Sequence, residues 1–343
     1  MSRERGLRVW APGRVNLIGE HTDYSGGLVL PVAIQYGITL DVAEQGGGEV
    51  RLRSEGFGPA VSFAADGSGA PGKGWVRYAH AVAGELHALG RPPVGLAGTL
   101  ASTLPAGAGL SSSAALEVAV ALALGAVAGW ELEPLALADA CRRAEHRAVG
   151  APVGILDQAA SLLGRVDRAL LLDCGTLEHR YVPVPHGVAL VVVGSGVEHR
   201  HETSGYATRR AELEAGVPRR VRHVRTENER VLAFAAAFER GDLAEAGDLL
   251  LRSHASLRDD YEVSTPEVDA LVEDAVAAGA YGARIVGGGF GGSVLALTDD
   301  ARAASLAAEV AERYRRRGFG GGETLVARAS RGAGISRSAN ENA

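Results

Sequence analysis

The fold of this chain turns on one stretch, Leu104-Pro105-Ala106-Gly107-Ala108-Gly109-Leu110-Ser111-Ser112-Ser113-Ala114-Ala115. Two glycines spaced by alanine and three consecutive hydroxyls run straight into an apolar segment that continues to about Trp130. A helix entered this way presents free backbone N–H groups and the positive end of its dipole, which suits an anion such as phosphate. Gly107 and Gly109 let the backbone approach that anion, and Ser111, Ser112 and Ser113 can donate hydrogen bonds or hold a hard cation such as magnesium. Taken alone, the loop reads equally as a Gly-rich turn before a Ser-capped buried helix. A Walker-type loop is excluded, because the only lysine of the chain, Lys73, lies outside the stretch. His-Arg-Asp and Asp-Phe-Gly signatures are absent as well.

At 343 residues with 46% hydrophobic content, the chain is long enough for two domains. A net charge of -6 favours neither nucleic acid nor an anionic membrane as partner. Cys141 and Cys174 fit no zinc spacing and no disulfide framework, and no signal peptide precedes the first strand-like run, so a cytoplasmic location is expected. The longest apolar run, Ala114 to Trp130, contains Glu117 and is too short to span a bilayer; it reads as a buried core helix.

Upstream, Leu7 to Ala11 reads as a strand and Pro12-Gly13 as a turn into Arg14-Val15-Asn16-Leu17-Ile18-Gly19-Glu20-His21-Thr22-Asp23-Tyr24. So dense a set of hydrogen-bonding groups among apolar residues suits a polyhydroxylated ligand, and equally a solvated loop. Adjacent residues rarely converge on one ion, which argues against a metal site at Glu20, His21 and Asp23. Leu28 to Ala43, Glu49 to Arg53 and Ala60 to Phe63 suggest an antiparallel sheet, and Trp75 to Leu89 a helix whose first residue either stacks on a nucleobase or joins the core. Val94 to Ser102 is a strand leading into the cradle.

Downstream, Pro134 to Gly150 is a helix bounded by its proline and glycine, carrying Glu145 as a surface residue or a site residue. Asp157, among apolar neighbours in Gly154-Ile155-Leu156-Asp157-Gln158, is either a helix cap or a reactive group. Ala169 to Asp173, Arg180 to Val184 and Val188 to Val193 read as strands closing the first domain. His199 and His201 sit in a solvated loop without a metal pattern. Helices over Tyr206 to Ala215, Val221 to Arg240, Leu243 to His254 and Pro266 to Ala278 follow. Strands at Ala283 to Val286 and Ser293 to Leu297 flank Gly287-Gly288-Gly289-Phe290-Gly291-Gly292, whose five glycines imply close backbone approach. Helix Ala301 to Arg316 and strand Glu323 to Ala327 complete an α+β unit, and Arg331 to Ala343 reads as a frayed tail.

Three of these stretches together resemble a known family. Arg14 to Tyr24 resembles the galactokinase signature, Leu104 to Ala115 the phosphate loop of the GHMP small-molecule kinases, and Gly282 to Leu297 their third, Gly-rich motif. With Ala144-Glu145-His146 and Gly154 to Gln158, the resemblance covers nearly the whole chain. It implies an α+β fold of two domains, residues 1–188 like ribosomal protein S5 domain 2 and residues 189–343 ferredoxin-like, with galactose and ATP in the cleft between them. It implies a monomeric sugar kinase that uses ATP and magnesium to phosphorylate the anomeric hydroxyl of α-D-galactose. Under it, Asp157 matches the candidate base and Arg14 its neighbour, while Glu20, His21, Asp23, Gly154 and Tyr206 match sugar-binding positions. Gly107, Ala108, Gly109, Leu110, Ser111, Ser112, Ser113 and Ala114 match the nucleotide loop, Trp75 falls near adenine, and Ser113 and Glu145 match magnesium positions. Val193 to Tyr206 fits loosely, with Gly194 where many members are polar, and Ile285, Val286 and Ser293 replace the usual Met, Thr and Cys.

Overall fold

The computed structural model describes residues 6–56, 58–105, 107, 109–150, 153–197 and 202–337. Ala108, His199 and His201 lie outside them. Strand β1 (Leu7–Asn16) runs straight through Pro12-Gly13, where a turn was expected. The pair forms a bulge: the register against β3 (Pro31–Gln45) shifts between Pro12 and Arg14. Proline suits a bulge because it has no N–H to leave unpaired. Arg14 N is thereby free to donate to Leu110 O at 3.2 Å. Gly13 allows this approach, since a Cβ there would stand 2.5 Å from Leu110 O.

The segment from Leu28, expected as one strand, divides into β2 (Leu28–Val29) and β3 because Leu30 N is drawn off to Ile18 O. With β4 (Glu49–Ser54), β5 (Val61–Ala64), β6 (Gly95–Ser102) and β13 (Gly334–Arg337), the first sheet has the order β13-β1-β3-β6-β4-β5. It is mixed rather than antiparallel: β4 and β6 run parallel, which the long crossover through β5 and helix α1 (Val76–Ala88) permits. A small second sheet joins β2 to β7 (Arg168–Asp173) and β8 (His179–Pro183). Helix α2 (Ser112–Ala128) is apolar on all sides and is buried against β1 and β3, flanked by α1, α3 (Pro134–Val149) and α4 (Leu156–Leu163). Pro134 opens α3, and Gly150 closes it in the left-handed conformation, φ 71°.

The rest of the chain supplies β9 (Val188–Gly194), α5 (Glu202–Glu214), α6 (Pro218–Arg240), α7 (Leu243–Asp259), α8 (Pro266–Ala277), β10 (Gly282–Val286), β11 (Ser293–Asp299), α9 (Ala303–Arg316) and β12 (Thr324–Ala327). The order β10-β11-β9-β12, with α8 and α9 on the connections, is the β-α-β-β-α-β ferredoxin-like arrangement. Val188 to Val193 therefore does not close the first domain; it forms β9 inside this antiparallel sheet, with Val191, Val192 and Val193 buried. Phe234 and Phe238 of α6 share one buried core with α2 and the first sheet, so the two lobes are packed together beneath the cleft. No helix among the described residues is long and apolar enough to cross a membrane.

Residues 331–337 are ordered rather than frayed. Ser330 N donates to Ala33 O, Gly332 N to Gly164 O and Ala333 N to Ser161 O, and β13 then pairs with β1. These are backbone bonds, which side-chain polarity does not announce. We propose a lobe division near 188/189 that leaves β13 with the first lobe. A Cβ at Gly332 would stand 2.5 Å from Leu162 O. Gly332→Ala is expected to cost about 1–3 kcal/mol through overpacking, read from urea unfolding.

Candidate active site

The cradle and the early signature segment meet through the β1 bulge. Gly107 and Gly109 take positive φ, 73° and 70°, and Arg14 Nη1 donates to Gly109 O at 2.7 Å. Ser111 stands at the N-cap of α2 in the left-handed conformation but makes no capping bond. Its hydroxyl donates instead to Asp157 Oδ2, so the first-turn N–H groups are not capped by Ser111.

Asp157 lies in the first turn of α4, where Ile155 holds the cap position. Arg14 grips both its oxygens, Nε to Oδ1 at 2.7 Å and Nη2 to Oδ2 at 2.9 Å. This forked geometry fixes the carboxylate plane. Burial works against the Arg14 charge, but attraction from Asp157 and then Glu20, with the hydrogen bonds to Asp157, holds its guanidinium above the ordinary value.

Beside this pair sit the remaining signature residues, with Glu20, His21 and Thr22 buried and Asp23 and Tyr24 partly so. His21 is 4% exposed, with Nε2 3.2 Å from Gly288 O and Nδ1 3.0 Å from the Tyr24 hydroxyl. A carbonyl only accepts, so Nε2 carries the proton and Nδ1 accepts from Tyr24, which in turn accepts from Tyr261 at 2.7 Å. Burial and neighbouring His223 push the imidazole down to about 3, leaving it neutral. The Tyr206 ring packs 5.5 Å from His21 and 5.1 Å from Tyr24. Asp23 is pushed up to about 7 by burial and by Asp157 and Glu20. Gly154 faces it closely, and any Cβ there would collide with the Asp23 carboxylate.

Residues from the second lobe hold this segment in place. Arg284, fully buried on β10, donates to Leu17 O and Asn16 O, each at 2.7 Å, and to Glu20 Oε1 at 3.3 Å. Glu20 also accepts from Gly287 N and Asn16 Nδ2, both at 2.9 Å, so its two oxygens bind the glycine turn and the first strand. From α6, Glu227 accepts from Gly19 N, His223 Nε2 lies 3.1 Å from Glu20 O, and Asn228 Oδ1 accepts from Leu28 N. Nothing in the sequence singles out Arg284 on β10, nor His223, Glu227 and Asn228, whose spacing on α6 is that of an ordinary helix face.

On the other side of Asp157, Ser113 Oγ donates to Glu145 Oε1 at 2.8 Å, and Gln158 Nε2 donates to Glu145 Oε2 and to Glu117 Oε2. Glu145 is 9% exposed, so it is not a surface glutamate. A hydroxyl and a carboxylate are hard oxygen donors of the kind magnesium takes beside phosphate and water. Among the described residues no group of three or more His, Cys, Asp or Glu side chains is placed to hold a metal.

One cleft of about 480 Å³ collects these groups: Arg14, Glu20, His21, Asp23, Gly107, Gly109, Leu110, Ser111, Ser112, Ser113, Glu145, Gly154, Asp157 and Tyr206 all line it. Gly287 and Gly288 line it from the second lobe. Ala114 is fully buried, and Trp75 packs against the core; neither is in the lining. Arg77 and Tyr78, in the first turn of α1, are.

Three family models match the chain: the galactokinase galactose-binding signature at residues 2–44, the GHMP kinases N terminal domain at 77–165 and the GHMP kinases C terminal at 234–316. The galactokinase of Streptomyces coelicolor is 42% identical over 328 residues, covering 85% of each chain. The crystal structure of Lactococcus lactis galactokinase complexed with galactose superposes with a TM-score of 0.90 at 32% identity, covering 96% of this chain and 95% of that one. The fold is shared more widely: the Methanococcus jannaschii mevalonate kinase reaches a TM-score of 0.74 at 17% identity, over 96% of this chain and 99% of that one.

The raised Asp23 value has a definite consequence for stability. The unfolded chain loses this proton near the ordinary 3.8 and the folded one near 7, so the fold is penalised progressively as pH rises through that window and fully above it. Asp23→Asn removes the penalty. The melting temperature of the variant relative to the parent is expected to rise between pH 4 and pH 8, measured by calorimetry; a flat difference contradicts the assignment.

Proposed function

This chain belongs to the galactokinase family of the GHMP kinases, and from that premise we propose that it transfers the terminal phosphoryl group of ATP to the anomeric hydroxyl of α-D-galactose, giving galactose 1-phosphate and ADP. The observation that carries the reading is the convergence of Arg14 and Ser111 on Asp157 at the mouth of the glycine-serine cradle. On one side of that convergence lie the cradle and its helix N-terminus, suited to phosphate. On the other lie Glu20, His21, Asp23 and Tyr206, suited to sugar hydroxyls.

In this reading Asp157 receives the proton of the sugar hydroxyl as its oxygen bonds to phosphorus. A loose phosphoryl-transfer transition state asks more for placement and charge neutralisation than for a strong base. Arg14 supplies both: three of its donors are fixed on Asp157 and Gly109, so it cannot swing, and its positive charge lies where the phosphoryl oxygens pass. Neutral His21 is held by its two partners in one tautomer, so it presents a fixed ring rather than a charge to the sugar. Gly154 serves by leaving room for Asp23. Ser113 and Glu145 would hold magnesium, which when bound neutralises charge on the nucleotide's phosphates.

Incubation with ATP, magnesium and galactose should yield a phosphate monoester at the anomeric carbon, identified by phosphorus NMR. Faster turnover of N-acetylgalactosamine or arabinose than of galactose would overturn the substrate assignment, and binding of both ligands without turnover would mark a sensor. Asp157→Asn should lower turnover by about 10²–10⁴-fold with ATP affinity retained; unchanged turnover refutes the role given to Asp157.

A further inference from the structure

Carboxylates dominate the cleft. Glu20, Asp23, Glu145 and Asp157 line it, against the guanidinium groups of Arg14 and Arg77 and a neutral His21. A polyanionic triphosphate entering such a site needs cationic partners beyond a helix dipole. Arg14 is committed, clamped on Asp157 and Gly109.

Arg77 is not committed. Among the described residues its guanidinium has no carboxylate partner, whereas Arg14, Arg209, Arg220, Arg230 and Arg284 each have one. Its contacts are with the neighbouring tyrosine: Nη2 donates to the Tyr78 hydroxyl at 3.2 Å, and the guanidinium carbon lies 5.0 Å from that ring centre. Nε is buried without any hydrogen-bond partner. A buried donor left unmade is costly, and guanidinium donors match phosphate geometry. The group shares the cleft lining with Pro105, Gly107, Ser112 and Ser113 of the cradle.

We propose that Arg77 binds a phosphate of the nucleotide, supplying from α1 the cation that the lysine-free cradle lacks. The inference rests on the kinase reading above. It concerns the phosphates rather than the base, and this separates it from a stacking role at the same end of α1.

The test compares ATP and adenosine as calorimetric ligands for the full chain and for Arg77→Gln and Arg77→Lys. The expected result is about tenfold weaker ATP binding by Arg77→Gln, the loss of a charged hydrogen bond, with adenosine affinity unchanged and ATP affinity partly restored in Arg77→Lys. In steady-state assays the rise falls on the KM for ATP and not on that for galactose. Equal weakening of ATP and adenosine, or no weakening of either, overturns the proposal. A parent chain that binds ATP but leaves galactose unphosphorylated overturns the sugar assignment alone, and one that binds no ATP overturns both.

Discussion

A single buried guanidinium organises the cleft. Arg284 leaves β10 with no access to water and spends its donors on the carbonyls of Asn16, Leu17 and Ile285 and on the Glu20 carboxylate. A buried charge is tolerated only while every partner stays in place, and stranding one costs about 3–5 kcal/mol. The signature segment therefore cannot shift away from the second lobe without exposing that penalty. Gly19, Glu20 and Leu28 are held on the same terms by α6, so the signature end of the cleft is shaped by a helix about 200 residues downstream.

This rigidity supports a site whose charges repel one another. Asp23, Asp157 and Glu20 crowd together, and the Asp23 carboxyl is raised first by burial and then by its two acidic neighbours. Arg14 relieves it at Asp157, and Gln158 bridges Glu145 and Glu117 with its one amide nitrogen. What remains is an excess of carboxylates facing the glycine-serine cradle, a balance that, under the proposed function, a nucleotide's metal and an arginine on α1 would settle. The family relationship supplies the reaction; the arrangement of paired and unpaired arginines indicates how the chain divides the work.

Much of the architecture was legible in the sequence because the signals were local. The largely apolar α2, the proline and glycine bounding α3 and the glycine turn between β10 and β11 each declare themselves within a few residues. The bulge at Pro12-Gly13 was misread as a turn, since it depends on Leu110 waiting almost a hundred residues later. Ser111 looked like a cap, and only the approach of Asp157 gives its hydroxyl another partner. Trp75 is the visible aromatic at the start of α1 and packs partly buried against the core, while Arg77 and Tyr78, which no local signal marks, line the cleft. Arg284 and the α6 residues were silent because burial of a charged side chain leaves no mark in the local pattern.

The pairing of β13 with β1 sets an order of events during synthesis. Leu7 lies opposite Arg337, so the second lobe is in effect a long insertion between β8 and the last strand of the first lobe. Until β13 has been made, β1 is an open strand edge, and the strand that covers it follows every other described strand in chain order. The ferredoxin-like unit can assemble earlier, from a continuous run of sequence. By the same adjacency, a permuted chain joined between positions 337 and 7 and opened near 188 would keep every strand neighbour of both larger sheets.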